Sequence, residues 1–138
     1  MSKILAIDYG TKNIGLALSD SGRRLAFPYN TLSVQCQSVQ CQDRVISDLK
    51  KICLLEDVER VVLGMPLNLS GEKTKMSEEV FGFSKKLEEE LDVPVEVEDE
   101  RLTTVQAQKL ANKGSRNIDE LSAQILLQSY LDKISTRL

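Results

Sequence analysis

The stretch AIDYGTKNIGLALSD, residues 6–20, decides how the rest of the chain is read. The apolar run at residues 4–7 ends abruptly on a carboxylate, Asp8, and Gly10 follows two positions later. Thr11, Lys12 and Asn13 make a polar turn, and a second apolar run covers residues 14–18. The first run predicts a strand buried on both faces. An acid at its end puts a costly charge beside a glycine-bearing turn, where a backbone can approach a ligand closely. Such a charge requires a partner: a cation, a metal ion or a cluster of donors.

Outward from this stretch, strands and helices alternate. Residues 14–19 predict an antiparallel hairpin partner, residues 19–24 a turn around Gly22, and residues 25–31 a third strand. Pro28 assigns that third strand to a sheet edge. Residues 33–43, rich in Gln, Ser and Cys, read as a loop or the start of a helix. Val45, Leu49, Ile52 and Cys53 recur at helical spacing, so a helix is expected from residue 44 to about 55. A strand over 60–64 and a polar loop over 65–75 follow, then a helix over 77–91 lined by Val80, Phe83, Leu87 and Leu91. Val93, Val95 and Val97 alternate with Glu96 and Glu98, the pattern of a half-exposed strand. Thr103 with Gln106 forms a capping box, predicting a helix to about residue 111, then a loop over 113–117. The last helix is expected over 118–134, apolar through Leu121, Ile125, Leu126, Tyr130 and Leu131. This order predicts an α/β architecture, a mixed sheet with helices on both faces. At 138 residues, with no repeat or linker, one domain over residues 1–138 is expected.

Composition narrows the chemistry. The chain contains no histidine, which removes that residue from every catalytic or metal-ligand scheme. Cys36, Cys41 and Cys53 are odd in number and lack CxxC spacing, so they read as free thiols of a reducing cytoplasm. With no histidine to activate a thiolate, a cysteine nucleophile is disfavoured. The net charge of −3 does not advertise a nucleic-acid binder, because phosphate affinity comes mainly from Lys and Arg. A local basic patch can still sit on an acidic body. No apolar run approaches the roughly 18 residues of a membrane span. The expectation is a cytoplasmic protein with no membrane partner.

The acids carry the functional signal. Asp8 ends the first strand, Asp99 and Glu100 end the last, and GMPLN (residues 64–68) follows the strand before it. Ligands of open α/β sheets bind beyond the carboxyl ends of the strands. If these strands are parallel neighbours, their ends meet at one edge, and Asp119 at the start of the final helix can bring a third carboxylate there. Clustered carboxylates repel unless a cation is bound. Mg²⁺ is the hard, oxygen-seeking ion such a group collects. Two such ions about 4 Å apart activate a water and stabilise the leaving oxygen in phosphodiester hydrolysis. Each acid also has an ordinary reading. Asp8 can cap its turn, residues 96–100 can be solvated acids with Arg101 as a partner, and Asp119 suits a helix N-terminus.

The motifs AIDYGTKNIGLALSD, VVLGMPLNLSGE (residues 61–72), VEDERLTTVQAQ (97–108) and IDELSAQILLQSYLD (118–132) resemble, in order and spacing, the YqgF/RuvX family. These are Holliday-junction resolvases also described as pre-16S rRNA nucleases. The resemblance runs along essentially the whole chain; the first motif alone is shared with sugar kinases and actin-like ATPases. It implies an RNase H-like fold, a five-stranded mixed sheet of order 3-2-1-4-5 with strand 2 antiparallel. It also implies that Asp8, Glu100 and Asp119 are the catalytic, metal-binding acids, with Asp99 in the same motif either assisting or orienting Arg101. Gly10, Thr11, Lys12 and Arg101 are the expected phosphate contacts. The implied cofactor is Mg²⁺ or Mn²⁺, and the implied partner is nucleic acid: pre-rRNA in a ribosomal precursor, or structured DNA. Two departures stand out: Asn13 occupies a position where the family commonly has Arg, and residues 112–117 form a short loop where many members carry a basic stretch. The rival readings are a phosphate-binding ATPase module, for whose two lobes 138 residues leave no room, and a non-catalytic RNA-binding assembly factor; monomer and homodimer both remain open.

Overall fold

In the computed structural model the apolar runs become one five-stranded sheet, ordered β3-β2-β1-β4-β5. The structure describes residues 3–10, 13–33, 39–65, 75–99 and 118–136. Its strands are β1 (Lys3–Tyr9), β2 (Asn13–Ser19), β3 (Ala26–Ser33), β4 (Val58–Met65) and β5 (Val95–Asp99). The helices are α1 (Val39–Leu55), α2 (Lys75–Glu90) and α3 (Ile118–Thr136). β2 runs antiparallel to β1 and β3, whereas β1, β4 and β5 are mutually parallel. This is the strand order that the resemblance implies.

Strand alternation sorts the core into two layers. Leu5 and Ile7 of β1 join Ile14, Leu16 and Leu18 of β2 and Val61 and Leu63 of β4 on one face. Val45 and Leu49 of α1 and Val80, Phe83 and Leu87 of α2 cover that face. Burying each of these large side chains contributes about 1.5–3 kcal/mol. The opposite face is built from smaller residues. Ala6, Ala17 and Ala26, with Ile4 and Val62, lie beneath Ala123, Leu126, Leu127, Tyr130 and Leu131 of α3. Helices therefore lie on both faces, as the hydrophobic pattern predicts.

The element boundaries shift for physical reasons. α1 starts at Val39, within the stretch that reads as a loop or the start of a helix. Gln42, in its first turns, accepts a hydrogen bond from Lys86 of α2 at 2.9 Å, a tertiary contact that no apolar periodicity announces. β3 extends to Ser33 because its ladder continues to the first residue of β2, Asn13. Its position at the sheet edge agrees with Pro28, where the register shifts between Leu16 and Ala17. β5 starts at Val95, since Val93 lies in a bend and the Pro94 carbonyl accepts the Val61 N–H at 2.9 Å. The helix expected over 103–111 and the loop over 113–117 lie outside the described residues. Among the described residues no helix is long and apolar enough to cross a membrane.

Candidate active site

Asp8 is the penultimate residue of the central strand and is half-buried. It shares the alternation of Ile4 and Ala6, so it belongs to the α3 face of the sheet. Its neighbours fix that assignment. Ile7 is fully buried on the opposite face, and the Tyr9 ring packs there against Phe83 at a centroid distance of 4.9 Å. A one-residue slip would move the charge to the side of Phe83 and drive Ile7 onto the small-residue floor beneath α3, so the register is strongly specified. Across the ladder Asp8 faces Gly15, which leaves bare backbone beside the carboxylate on the β2 side.

Gly10 closes the turn tightly. A Cβ added there would stand 2.5 Å from the Asn13 carbonyl oxygen, closer than any side chain tolerates. Only glycine lets the chain reverse directly after the acid. Asn13 itself begins β2 opposite Ser33, so its carbonyl belongs to the sheet and has little freedom to yield.

The parallel ladder brings the neighbouring strand ends to the same edge. Ile7 pairs with Leu63, Gly64 with Glu98, and Met65 with Asp99. Asp8, Gly64 and Asp99 thus stand at one carboxyl edge of three adjacent strands, the position where open α/β sheets bind ligands. Asp119 is the second residue of α3, the helix that covers the Asp8 face. The side chains of Asp99 and Asp119 lie outside the described residues, as do Thr11, Lys12, Glu100 and Arg101. Among the described residues no group of three His, Cys, Asp or Glu side chains is placed to hold a metal ion. The donor that is described, the Asp8 carboxylate, is a hard oxygen ligand of the kind Mg²⁺ and Mn²⁺ take.

Of the acids preceding Asp99, Glu96 is exposed, as the sequence pattern allows, and Glu98 is half-buried, and each has a cation beside it. Glu98 pairs with Lys133 of α3 at 2.8 Å, and Glu96 lies 3.8 Å from Arg60 of β4. Arg60 donates to the Tyr130 hydroxyl at 2.7 Å. This bond holds the guanidinium further in its charged form, while burial and the neighbouring Glu96 push the Tyr130 phenol above its usual range. On the other flank of α3, Gln128 accepts the Ala26 N–H at 3.0 Å and donates to the Arg24 carbonyl at 2.9 Å. Gln124 donates to the Ala26 carbonyl at 3.1 Å. The sequence pattern gives no role to Arg60, Gln124 or Gln128 and places Tyr130 in the core, where it is buried. The available signal was two glutamines four residues apart, bordering the apolar stripe of the last helix.

The comparisons with known proteins bear on the fold and the family. A protein of Protochlamydia amoebophila named "Putative pre-16S rRNA nuclease" is 36% identical over 140 residues, covering 95% of this chain and 93% of its own. Among solved structures, Thermus thermophilus RuvC in complex with a Holliday junction substrate superposes with a TM-score of 0.63 at 14% identity. That match covers 99% of this chain and 98% of RuvC. The fowlpox virus Holliday junction resolvase gives a TM-score of 0.60 at 15% identity, covering 96% and 99% of the two chains. At such identities the likeness carries the fold, which is RNase H-like. The model of one family, described as RuvX: Holliday junction resolvase, matches residues 2–133, and the chain belongs to that family.

Proposed function

We propose that this chain is a metal-dependent nuclease that hydrolyses phosphodiester bonds, and that it processes the 5′ end of pre-16S rRNA in the cytoplasm during ribosome assembly. Residues 1–138 would act as one RNase H-like domain. The observation that carries this reading is the half-buried Asp8 at the carboxyl edge of the central strand, on the face that α3 covers. Its carboxylate lies beside a turn that only glycine can close. The names of the curated relatives support rRNA as the substrate.

In this reading Asp8, Glu100 and Asp119 hold Mg²⁺ or Mn²⁺, with Asp99 adjoining them. When bound, such ions supply an activated water and neutralise charge on the leaving oxygen. The chain's own part is to hold hard oxygen donors in a fixed array. The register of β1 fixes Asp8, and the packing of α3 would have to deliver Asp119 to it. Gly10, Thr11, Lys12 and Arg101 would receive the substrate phosphate, the glycine by leaving the backbone accessible and the cations by charge. The family description favours a second substrate, a four-way DNA junction.

One experiment separates these substrates and tests the chemistry. Labelled pre-16S leader RNA and a labelled DNA four-way junction are incubated with the protein and Mn²⁺ or Mg²⁺, with and without a chelator. Chelator-sensitive cleavage of the leader is expected. Cleavage of the junction alone would transfer the assignment to DNA, and cleavage of neither would refute the nuclease reading.

A further inference from the structure

The floor beneath α3 is made largely of small side chains, with Ala6, Ala17 and Ala26 below and Ala123 above. Such a floor lets the helix come close to the sheet. It offers few ridges to fix how the helix is rolled about its own axis. Directional bonds on the two flanks supply what the floor lacks. On the β3 flank Gln124 and Gln128, four residues apart on the helix, grip the backbone of Arg24 and Ala26. On the β4–β5 flank Arg60 reaches the Tyr130 hydroxyl, and Lys133 reaches Glu98.

Asp119 is the second residue of this same helix. Ala123, Leu126 and Tyr130 follow it by four, seven and eleven residues, the spacing of one helix face. Because a helix turns as a unit, a roll at Tyr130 is transmitted to Asp119. With side-chain ends about 5–6 Å from the axis, a roll of about 20° moves them about 2 Å. A displacement of about 1 Å already costs on the order of a hundredfold in catalysis when geometry is strict.

We propose that Tyr130, braced by Arg60 and opposed by Gln128, is a positioning residue that sets the roll of α3 and so the placement of Asp119 against Asp8. The proposal rests on the nuclease reading above for its consequence, and on the clamp geometry for its cause. Tyr130→Phe removes the hydroxyl and keeps the ring, while Gln128→Leu removes the opposite grip. Lys86→Met breaks a contact of similar length between α1 and α2 on the other face and serves as the control.

Three quantities are measured in each folded variant: Mn²⁺ affinity by calorimetry, kcat and KM on the cleaved substrate, and amide hydrogen exchange along α3. For Tyr130→Phe and Gln128→Leu the expected result is a loss on the order of tenfold in Mn²⁺ affinity and in kcat. KM should change less than about twofold, and exchange should quicken in the first turns of α3. Lys86→Met should match the parent in all three. If Tyr130→Phe and Gln128→Leu fold and keep Mn²⁺ affinity, kcat and exchange within about twofold of the parent, the positioning role is overturned. Should the parent itself neither bind Mn²⁺ nor cleave, the nuclease reading fails, and the exchange pattern alone decides whether the clamp sets the helix.

Discussion

Gly10 shows how tightly the acid and its turn are joined. Its missing Cβ is what keeps the Asn13 carbonyl in the ladder. Gly10→Ala must displace backbone, and a loss of about 1–3 kcal/mol is expected in denaturant titration. An unchanged midpoint would contradict the turn geometry. Cys53 makes a different case. Burial pushes its thiol up to about 11, so it stays protonated at neutral pH and behaves as a small apolar residue. A folded-state pKa raised above the ordinary value gives stability that is complete below about pH 9 and is lost as pH rises towards about 11. Cys53→Ala should therefore lose less stability than the parent across that interval, as read from denaturant midpoints. A parallel loss in both proteins would assign the alkaline sensitivity to other groups.

The elements pack by opposite rules on the two faces of the sheet. Beneath α1 and α2 the core is large and filled, so Leu49→Ala should cost about 2–5 kcal/mol. Beneath α3 the floor is small, so Ala17→Leu should destabilise by overpacking and also lift the helix that carries Asp119. Chemical denaturation with Mn²⁺ calorimetry checks both: Leu49→Ala should lose stability with metal affinity kept, and Ala17→Leu should lose both. The strands and the two helix layers were legible because Ile4 to Ile7, Val61 to Leu63 and the Leu49–Cys53 and Phe83–Leu87 spacings are direct hydrophobic signals, and Pro28 marked β3 as an edge; the strand order came only with the family resemblance. The early start of α1 was only half legible, since residues 33–43 read equally as a loop or the start of a helix and Gln42 is held by a lysine distant in sequence. The roles of Glu96, Glu98 and Tyr130 were not legible. Their partners Arg60 and Lys133 meet them only after the sheet and α3 have packed. Of the candidate site, Asp8 could be read from the chain because a charge ending an apolar run is conspicuous by itself.

At the scale of the whole molecule, one sheet ties residues from both halves of the chain together. β1 pairs with β4 in parallel, and α3 returns from the C-terminal end to cover β1, β2 and β3. Few contacts of this kind are local in sequence, so the proposed single domain should unfold in one cooperative transition. Equal calorimetric and van't Hoff enthalpies are expected, and two resolved transitions would argue against it. With a net charge of −3 the chain has no excess of cations to offer a general basic surface, so in the proposed function substrate would be held by a local array of cations and metal. The central claim is that Asp8 is a metal-holding acid of a nuclease. The most direct measurement is Mn²⁺-dependent cleavage of labelled pre-16S leader RNA by the parent and by Asp8→Asn, each first shown to be folded. The parent should cleave and Asp8→Asn should lose activity by a factor on the order of a thousand or more, equivalent to about 4 kcal/mol of transition-state stabilisation. Equal cleavage by the two proteins would contradict the account.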